Sequence, residues 1–174
     1  YEGQINDKMD GFYRSKYTRS GKTQFIAVTQ FEESDARRAF PCIDHPAKKA
    51  TFDIIMDIDQ ELVAISNGAI KEQTPLDNGK KRVTFEQTPK MSTYLVFFGV
   101  GEFEFTRDSE DPRVRVATLP GMKPYAMFGL EFGRKSLAFS EEYYGIPYPL
   151  PKMDLIAIPD FAFGAMENWG AITF

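Results

Sequence analysis

Between Thr23 and Phe105 the apolar and β-branched runs are cut again and again by Gly, Asn and Pro, and that punctuation decides the fold class. Thr23 to Thr29 is rich in β-forming residues. Thr51 to Asp59 sets Phe52, Ile54, Met56 and Ile58 against Asp53, Asp57 and Asp59, the two-residue period of a strand with one buried face. Further strands are expected at Leu62 to Ser66, Ala69 to Thr74, Lys81 to Thr88 and Tyr94 to Phe105, divided by Asn67-Gly68, Asp77-Asn78-Gly79 and Pro89. Short strands in this rhythm predict a β-sandwich or saddle over 1–105.

The polar stretch 106–112, with Asp108, Glu110, Asp111 and Pro112, breaks the pattern and is expected to be a linker. A different unit follows at 113–174. Arg113 to Thr118 alternates as a strand and turns at Leu119-Pro120-Gly121, after which Pro124 can take the first position of a helix. Tyr125, Phe128, Phe132, Phe139 and Tyr143 recur at helical spacing, predicting a helix to about Tyr144 that Gly145 ends. That aromatic stripe is expected to be core packing, with no cofactor assigned to it. Prolines 147, 149 and 151 hold the next connection extended until Met153 to Ile158, which has the branched content of a buried strand and is stopped by Pro159-Asp160.

Net charge is −4, with 21 basic and 25 acidic residues spread along the chain, so there is no basic arm of the kind that binds nucleic acid. Lys80-Lys81-Arg82 follows Asp77-Asn78-Gly79 and is expected to be a solvated hairpin. One cysteine, Cys42, excludes an internal disulfide, and there is no Asn-x-Ser/Thr acceptor, so a reducing, cytoplasmic location is expected. Cys42 reads as a small buried hydrophobe. No apolar run approaches the roughly 18 residues of a membrane span. The chain opens on Tyr1 and stops at Phe174 inside a strand pattern, so it is expected to be a piece of a longer polypeptide.

One carboxylate stands apart. Phe161-Ala162-Phe163-Gly164-Ala165-Met166-Glu167-Asn168-Trp169-Gly170 hangs a single Glu in a small-residue turn from the buried strand. Gly164 and Ala165 let another backbone approach closely, and Trp169 to Phe174 is expected to form a second strand with an edge free to pair with an extended peptide. A carboxylate beside such an edge could hold a peptide's cationic end; the simpler reading is an ordinary solvated Glu.

Gly164-Ala165-Met166-Glu167-Asn168 resembles the G-A-M-E-N signature of the gluzincin zinc aminopeptidases, most closely their puromycin-sensitive and tricorn-associated branch. The approach Pro147-Tyr148-Pro149-Leu150-Pro151-Lys152-Met153-Asp154-Leu155-Ile156-Ala157-Ile158-Pro159-Asp160-Phe161 is similar to the same family's. The resemblance implies the carboxyl part of an amino-terminal β domain, then the unfinished start of an α+β, thermolysin-like catalytic domain. It also implies Gly164, Ala165, Met166, Glu167 and Asn168 as substrate-binding residues, and peptides with a free amino terminus as substrates.

A second segment agrees. Thr29-Gln30-Phe31-Glu32 closes a strand, and Ser34 to Phe40 reads as a short helical turn capped by Ser34 or Asp35 and ended by Pro41. It resembles the family's T-Q-F-E…A-R-R-A-F-P-C…D-x-P segment, which implies Glu32 as the second carboxylate for the substrate amine. Two acids suit that task. A peptide α-amine has a pKa of about 7.7–8.0, so it is largely cationic at neutral pH and offers three donors. At about 4 Å and an effective dielectric near 20, each pair is attracted by about 4 kcal/mol before desolvation, and a chain interior has no such charge to offer.

Two departures bear on the resemblance. His45, the one histidine, stands where the family usually carries an acid, and a lone His cannot build a zinc site; a solvated turn is expected. No H-E-x-x-H occurs, so the resemblance implies Zn2+ in the full-length parent with ligands outside these residues, and no turnover by this chain alone. The alternative is a zinc-less homologue serving as a peptide-binding scaffold. The epoxide-hydrolysing branch usually has Gln at the position of Glu32, which speaks against it.

Overall fold

A computed structural model describes residues 1–174 as eleven strands in three sheets and one long helix. In chain order they are β1 (Gly11–Arg19), β2 (Lys22–Gln30), β3 (Ile55–Asp59), β4 (Val63–Ser66), β5 (Ile70–Leu76), β6 (Lys80–Phe85), β7 (Phe98–Gly101), β8 (Glu104–Arg107), β9 (Val114–Thr118), α1 (Ala126–Tyr144), β10 (Met153–Ile156) and β11 (Ala171–Thr173). The first sheet has the order β1-β2-β7-β4 and the second β3-β6-β5, both antiparallel. The third, β11-β10-β9-β8, is parallel except for the β8–β9 pair.

The strands expected from punctuation lie close to those found, and the hairpin at 77–79 turns through left-handed Asn78 and Gly79, leaving Arg82 to pair with Asp57 at 2.7 Å. Strand β1 lies where no strand was expected. Its inward positions are Gly11, Tyr13, Ser15 and Tyr17, so a glycine and a serine break the apolar row and the alternation is muted in the sequence. The single strand expected from Tyr94 through Phe105 is instead a 3-10 turn at Thr93–Leu95, then β7, then β8. The break falls where Phe103 N–H turns back to the Gly101 carbonyl at 3.0 Å. Strand β8 pairs with β9, so residues 104 and 105 belong by hydrogen bonding to the third sheet and the connection expected at 106–112 begins only after Arg107. There Asp108 accepts from the N–H groups of Glu110 and Asp111, each at 2.9 Å, and closes a tight turn.

Parallel strands need a crossover, and α1 provides it between β9 and β10. The helix stops where Gly145 takes φ +63°, a left-handed cap without Cβ strain. Its covered face is Ala126, Leu130, Gly133 and Leu137, packed on Val114, Val116, Met153 and Leu155. The aromatic stripe expected to be core packing is not: Tyr125, Phe128, Phe132, Phe139 and Tyr143 are 62 to 78% exposed. The helix carries two apolar stripes at helical spacing, and periodicity alone does not say which one the sheet covers. Phe128 stacks on Phe132 and Phe139 on Tyr143, with centroids 5.9 and 5.7 Å apart.

Alternation along β9 and β10 sends the intervening residues to the opposite face. Ala117 and Ile156 there meet Tyr13, Ile26 and Val28 of the first sheet, with Ile158 and Ala171 in the same cluster. The third sheet is thus sandwiched, as parallel sheets require, and the first sheet is one of its two covers.

Candidate functional site

The loop carrying Glu167 is tied at both ends. Asp160 accepts from Lys16 N–H at 2.8 Å, its own N–H reaches Ser15 Oγ at 2.8 Å, and its carbonyl accepts from Tyr13 Oη at 2.9 Å. Burial, then the Asp160 charge, pushes the Tyr13 phenol up. At the other end Met166 exchanges two backbone bonds with Thr173, at 2.9 and 3.1 Å, and Ala171 N–H reaches the Asn168 carbonyl at 2.9 Å. The edge of β11 expected to be free is therefore covered by the loop itself. The unpaired backbone lies one step earlier, at Gly164 and Ala165, which take part in none of the chain's backbone hydrogen bonds and are exposed.

Met166 and Asn168 are each 1% exposed, and Glu167 between them is exposed, so strand-like alternation alone projects the carboxylate outward. Of the residues that the sequence singled out, Met166 and Asn168 are brought inside, and Gly164, Ala165, Glu167 and Glu32 are left at the surface. Beside Glu167 lies a concavity of about 260 Å3 lined by Tyr148, Leu150, Trp169 and Ile172 among others. A larger one, about 410 Å3, between the first two sheets holds neither carboxylate, and its two acids, Asp53 and Asp57, are engaged by Gln87 and Arg82.

Glu32 follows the same logic. Gln30 and Phe31 are buried, and the chain then emerges, with a cis peptide bond between Glu32 and Glu33. The turn beyond it, Ala36–Arg38, has Asp35 at its N-cap but no side-chain capping bond; the Asp35 carboxylate lies 3.3 Å from Arg38 instead. Asp44 pins the turn from below, accepting from Arg37 N at 3.0 Å and Thr93 Oγ1 at 2.5 Å. Burial raises the Asp44 pKa, but the Thr93 and Arg37 contacts outweigh it and hold the carboxyl below the usual range. His45 is exposed, its Nδ1 accepting from Ala47 N–H at 3.2 Å in a local turn, and half-buried Cys42 packs against the core, where burial pushes the thiol up.

Neither Glu32 nor Glu167 forms an ion pair, while Asp35 and Asp44 beside Glu32 do. The chain neighbours of the two, Phe31 and Met166, are buried in one apolar cluster.

Five residues to which the sequence reading gave no role at the site hold the loop. Asn67 Nδ2 donates to the carbonyls of Leu95 and Trp169 at 2.7 and 2.9 Å, and its Oδ1 accepts from Phe97 N at 2.8 Å. Gly170, at φ +75°, passes so near that a Cβ would sit 2.4 Å from the Asn67 carbonyl oxygen. Lys152, 5% exposed, donates from Nζ to the carbonyls of Ser66 and Gly170 and to Asp154, while Arg115 forks onto Asp154 at 2.6 and 2.7 Å. The available signal was charge at 152 and 154 in and beside a strand otherwise apolar enough to be buried, since buried charge must be paired.

No group of three or more His, Cys, Asp or Glu side chains is placed to hold a metal ion, so the donors of a zinc site do not fit among these residues. No helix is long and apolar enough to cross a membrane.

Residues 1–95 match the Peptidase M1 N-terminal domain and residues 128–174 the Peptidase family M1 domain. The chain belongs to the peptidase M1 family. Along its whole length this M1 chain is 48% identical to the puromycin-sensitive aminopeptidase of Caenorhabditis elegans, 49% to Aminopeptidase M1 of Arabidopsis thaliana and 46% to the leucyl aminopeptidase of Saccharolobus solfataricus. It spans 19, 20 and 22% of the length of those three relatives.

Proposed function

We propose that this chain supplies the amine-recognising surface of a zinc-dependent aminopeptidase, with Glu32 and Glu167 holding the α-amine of a peptide. Gly164 and Ala165 offer free backbone groups to the first peptide unit, and Met166 and Asn168 seat the loop. The observation that carries this reading is the pairing of two exposed carboxylates without intrachain cations, on loops whose neighbouring residues share one buried cluster. Zinc would be held by residues beyond this set and would supply the activated water; recognition is what the present residues contribute. A reducing, cytoplasmic setting suits its single, unpaired Cys42. The same relatives' names favour hydrolysis over a catalytically silent scaffold.

The test is Glu167→Gln in the complete peptidase. A hydrogen bond to a charged group contributes about 1.5–3 kcal/mol, so kcat/KM for an aminoacyl anilide should fall roughly ten- to a hundredfold. The gap between free-amine and amino-acetylated substrates should narrow. Equal losses on both, with a lower melting temperature, would make Glu167 a structural residue of its loop.

A further inference from the structure

A buried ammonium is an uneconomical way to hold two strands together, because desolvating it costs several kcal/mol and an apolar side chain of the same volume is often as stable. Lys152 is nevertheless fully committed. All three of its donors are used, on Ser66 O, on Gly170 O at 2.8 Å and on Asp154 Oδ2 at 2.8 Å, and Asp154 is already matched by the two bonds from Arg115. Two cations thus share one wholly buried carboxylate. Burial pushes the Lys152 pKa down, with Asp154 opposing it.

The two carbonyls belong to different parts of the molecule. Ser66 ends β4, in the sheet whose β2 leads into Glu32. Gly170 closes the loop that carries Glu167. An ammonium gripping both fixes the distance between them, which a thioether or an alkyl chain cannot do. Asn67 supplies a parallel tie from the residue after Ser66 to Trp169.

We propose that Lys152 is a positioning residue for the amine site, setting the separation of Glu32 and Glu167 by bridging the Ser66 and Gly170 carbonyls. This rests on the assignment of those two carboxylates as amine anchors. Removal of the bridge should leave the fold standing: Lys152→Met keeps Asp154 matched one-to-one by Arg115, and the Gly170 carbonyl keeps its bond from Asp154 N–H at 3.0 Å. What is lost is the fixed spacing, and a spacing error acts on recognition of the cation.

The experiment compares Lys152→Met, Lys152→Arg and Glu167→Gln in the complete peptidase, using leucinamide and its des-amino counterpart as competitive inhibitors and an aminoacyl anilide as substrate. Lys152→Met should raise KM with kcat little changed, and cut the preference for leucinamide over the des-amino compound by about tenfold. Lys152→Arg, which keeps the cation and its donors, should recover most of that preference. An unchanged preference in Lys152→Met, at whatever melting temperature, overturns the proposal. So does equal impairment of the Met and Arg variants, or failure of both to fold, since Lys152 would then serve stability alone. If Glu167→Gln also leaves the preference intact, the amine-anchor assignment itself fails; if Glu167→Gln removes it and Lys152→Met does not, only the positioning role falls.

Discussion

The two carboxylates of the candidate site are held in opposite ways. Glu32 is supported mainly from nearby in sequence: Phe31 packs edge-on to Phe40 at 5.9 Å, and Arg37 and Arg38 are engaged by Asp44 and Asp35, with Asp10 reaching Arg38 from upstream of β1. Glu167 is supported from far away, through Asn67, Ser66 and the buried charges of β9 and β10. A locally braced residue can tolerate the loss of one contact because several others span the same few residues. The loop around Glu167 has local backbone bonds only from Met166 onward, so its Gly164–Ala165 part has none of its own and relies on ties made elsewhere.

The largest effect should therefore come from a single methyl group on the clamped side. Gly170→Ala forces a Cβ to within 2.4 Å of the Asn67 carbonyl oxygen at φ +75°. The left-handed conformation alone costs about 1–2 kcal/mol, and displacement of backbone adds to it, so urea unfolding should show a loss of at least about 2 kcal/mol. Trp169, the one tryptophan of the chain, should report the shift in its emission. Gly164→Ala in the same loop meets nothing within 4 Å and should be close to neutral, so equal losses from the two substitutions would erase the distinction between clamped and free parts of the loop.

On the braced side the expected effect is smaller and depends on pH. The Asp44 carboxyl titrates below its ordinary range in the folded chain, so the unfolded chain takes up its proton first as pH falls. Its contribution is fully present above the unfolded carboxylate value of about 3.9 and is lost as pH drops through the folded one. Asp44→Asn should cost about 1–3 kcal/mol at pH 7, a deficit that shrinks when unfolding is repeated near pH 3, with Trp169 emission unchanged throughout. A deficit equal at both values would mean that the bonds from Thr93 and Arg37 do not depend on the charge.

The same contrast separates what the sequence made legible from what it hid. Contiguous features were readable: the punctuated strands, the helix ended by Gly145, and the two short segments bearing Glu32 and Glu167. Long-range pairing was not. Strand β1 escaped notice because Ser15 sits in its buried row, where it serves Asp160 across 145 residues of sequence. The sequence reading gave Lys152 and Asp154 no role of their own, and only the folded chain shows them meeting Ser66 and Arg115. The β11 edge looked free because its partner, Met166, lies a few residues upstream in a stretch with no strand pattern of its own. The aromatic face of α1 was legible as a stripe but not as an exposed one.

The smallest expected effect is also on the braced side, and it decides between the sequence reading of Asp35 and its geometry. Ser34 or Asp35 was expected to cap the turn that follows Glu32, and loss of a capping side chain costs typically about 1 kcal/mol. Asp35 occupies the N-cap position at Ala36–Arg38, yet its side chain makes no bond to the turn's N–H groups and lies 3.3 Å from Arg38. Arg38 has a second carboxylate at hand, Asp10 at 2.9 Å, so it does not become unpaired when Asp35 is removed. An ion pair this open to solvent contributes about 0.2–1 kcal/mol, and one whose cation is already served should fall at the bottom of that range. Asp35→Ala should thus shift the urea midpoint by no more than about 0.5 kcal/mol in equivalent free energy, and less in high salt, where exposed pairs are screened. A salt-independent loss near 1 kcal/mol would restore Asp35 as a cap, and with it a dependence of the Glu32 side on one local bond that redundant bracing denies.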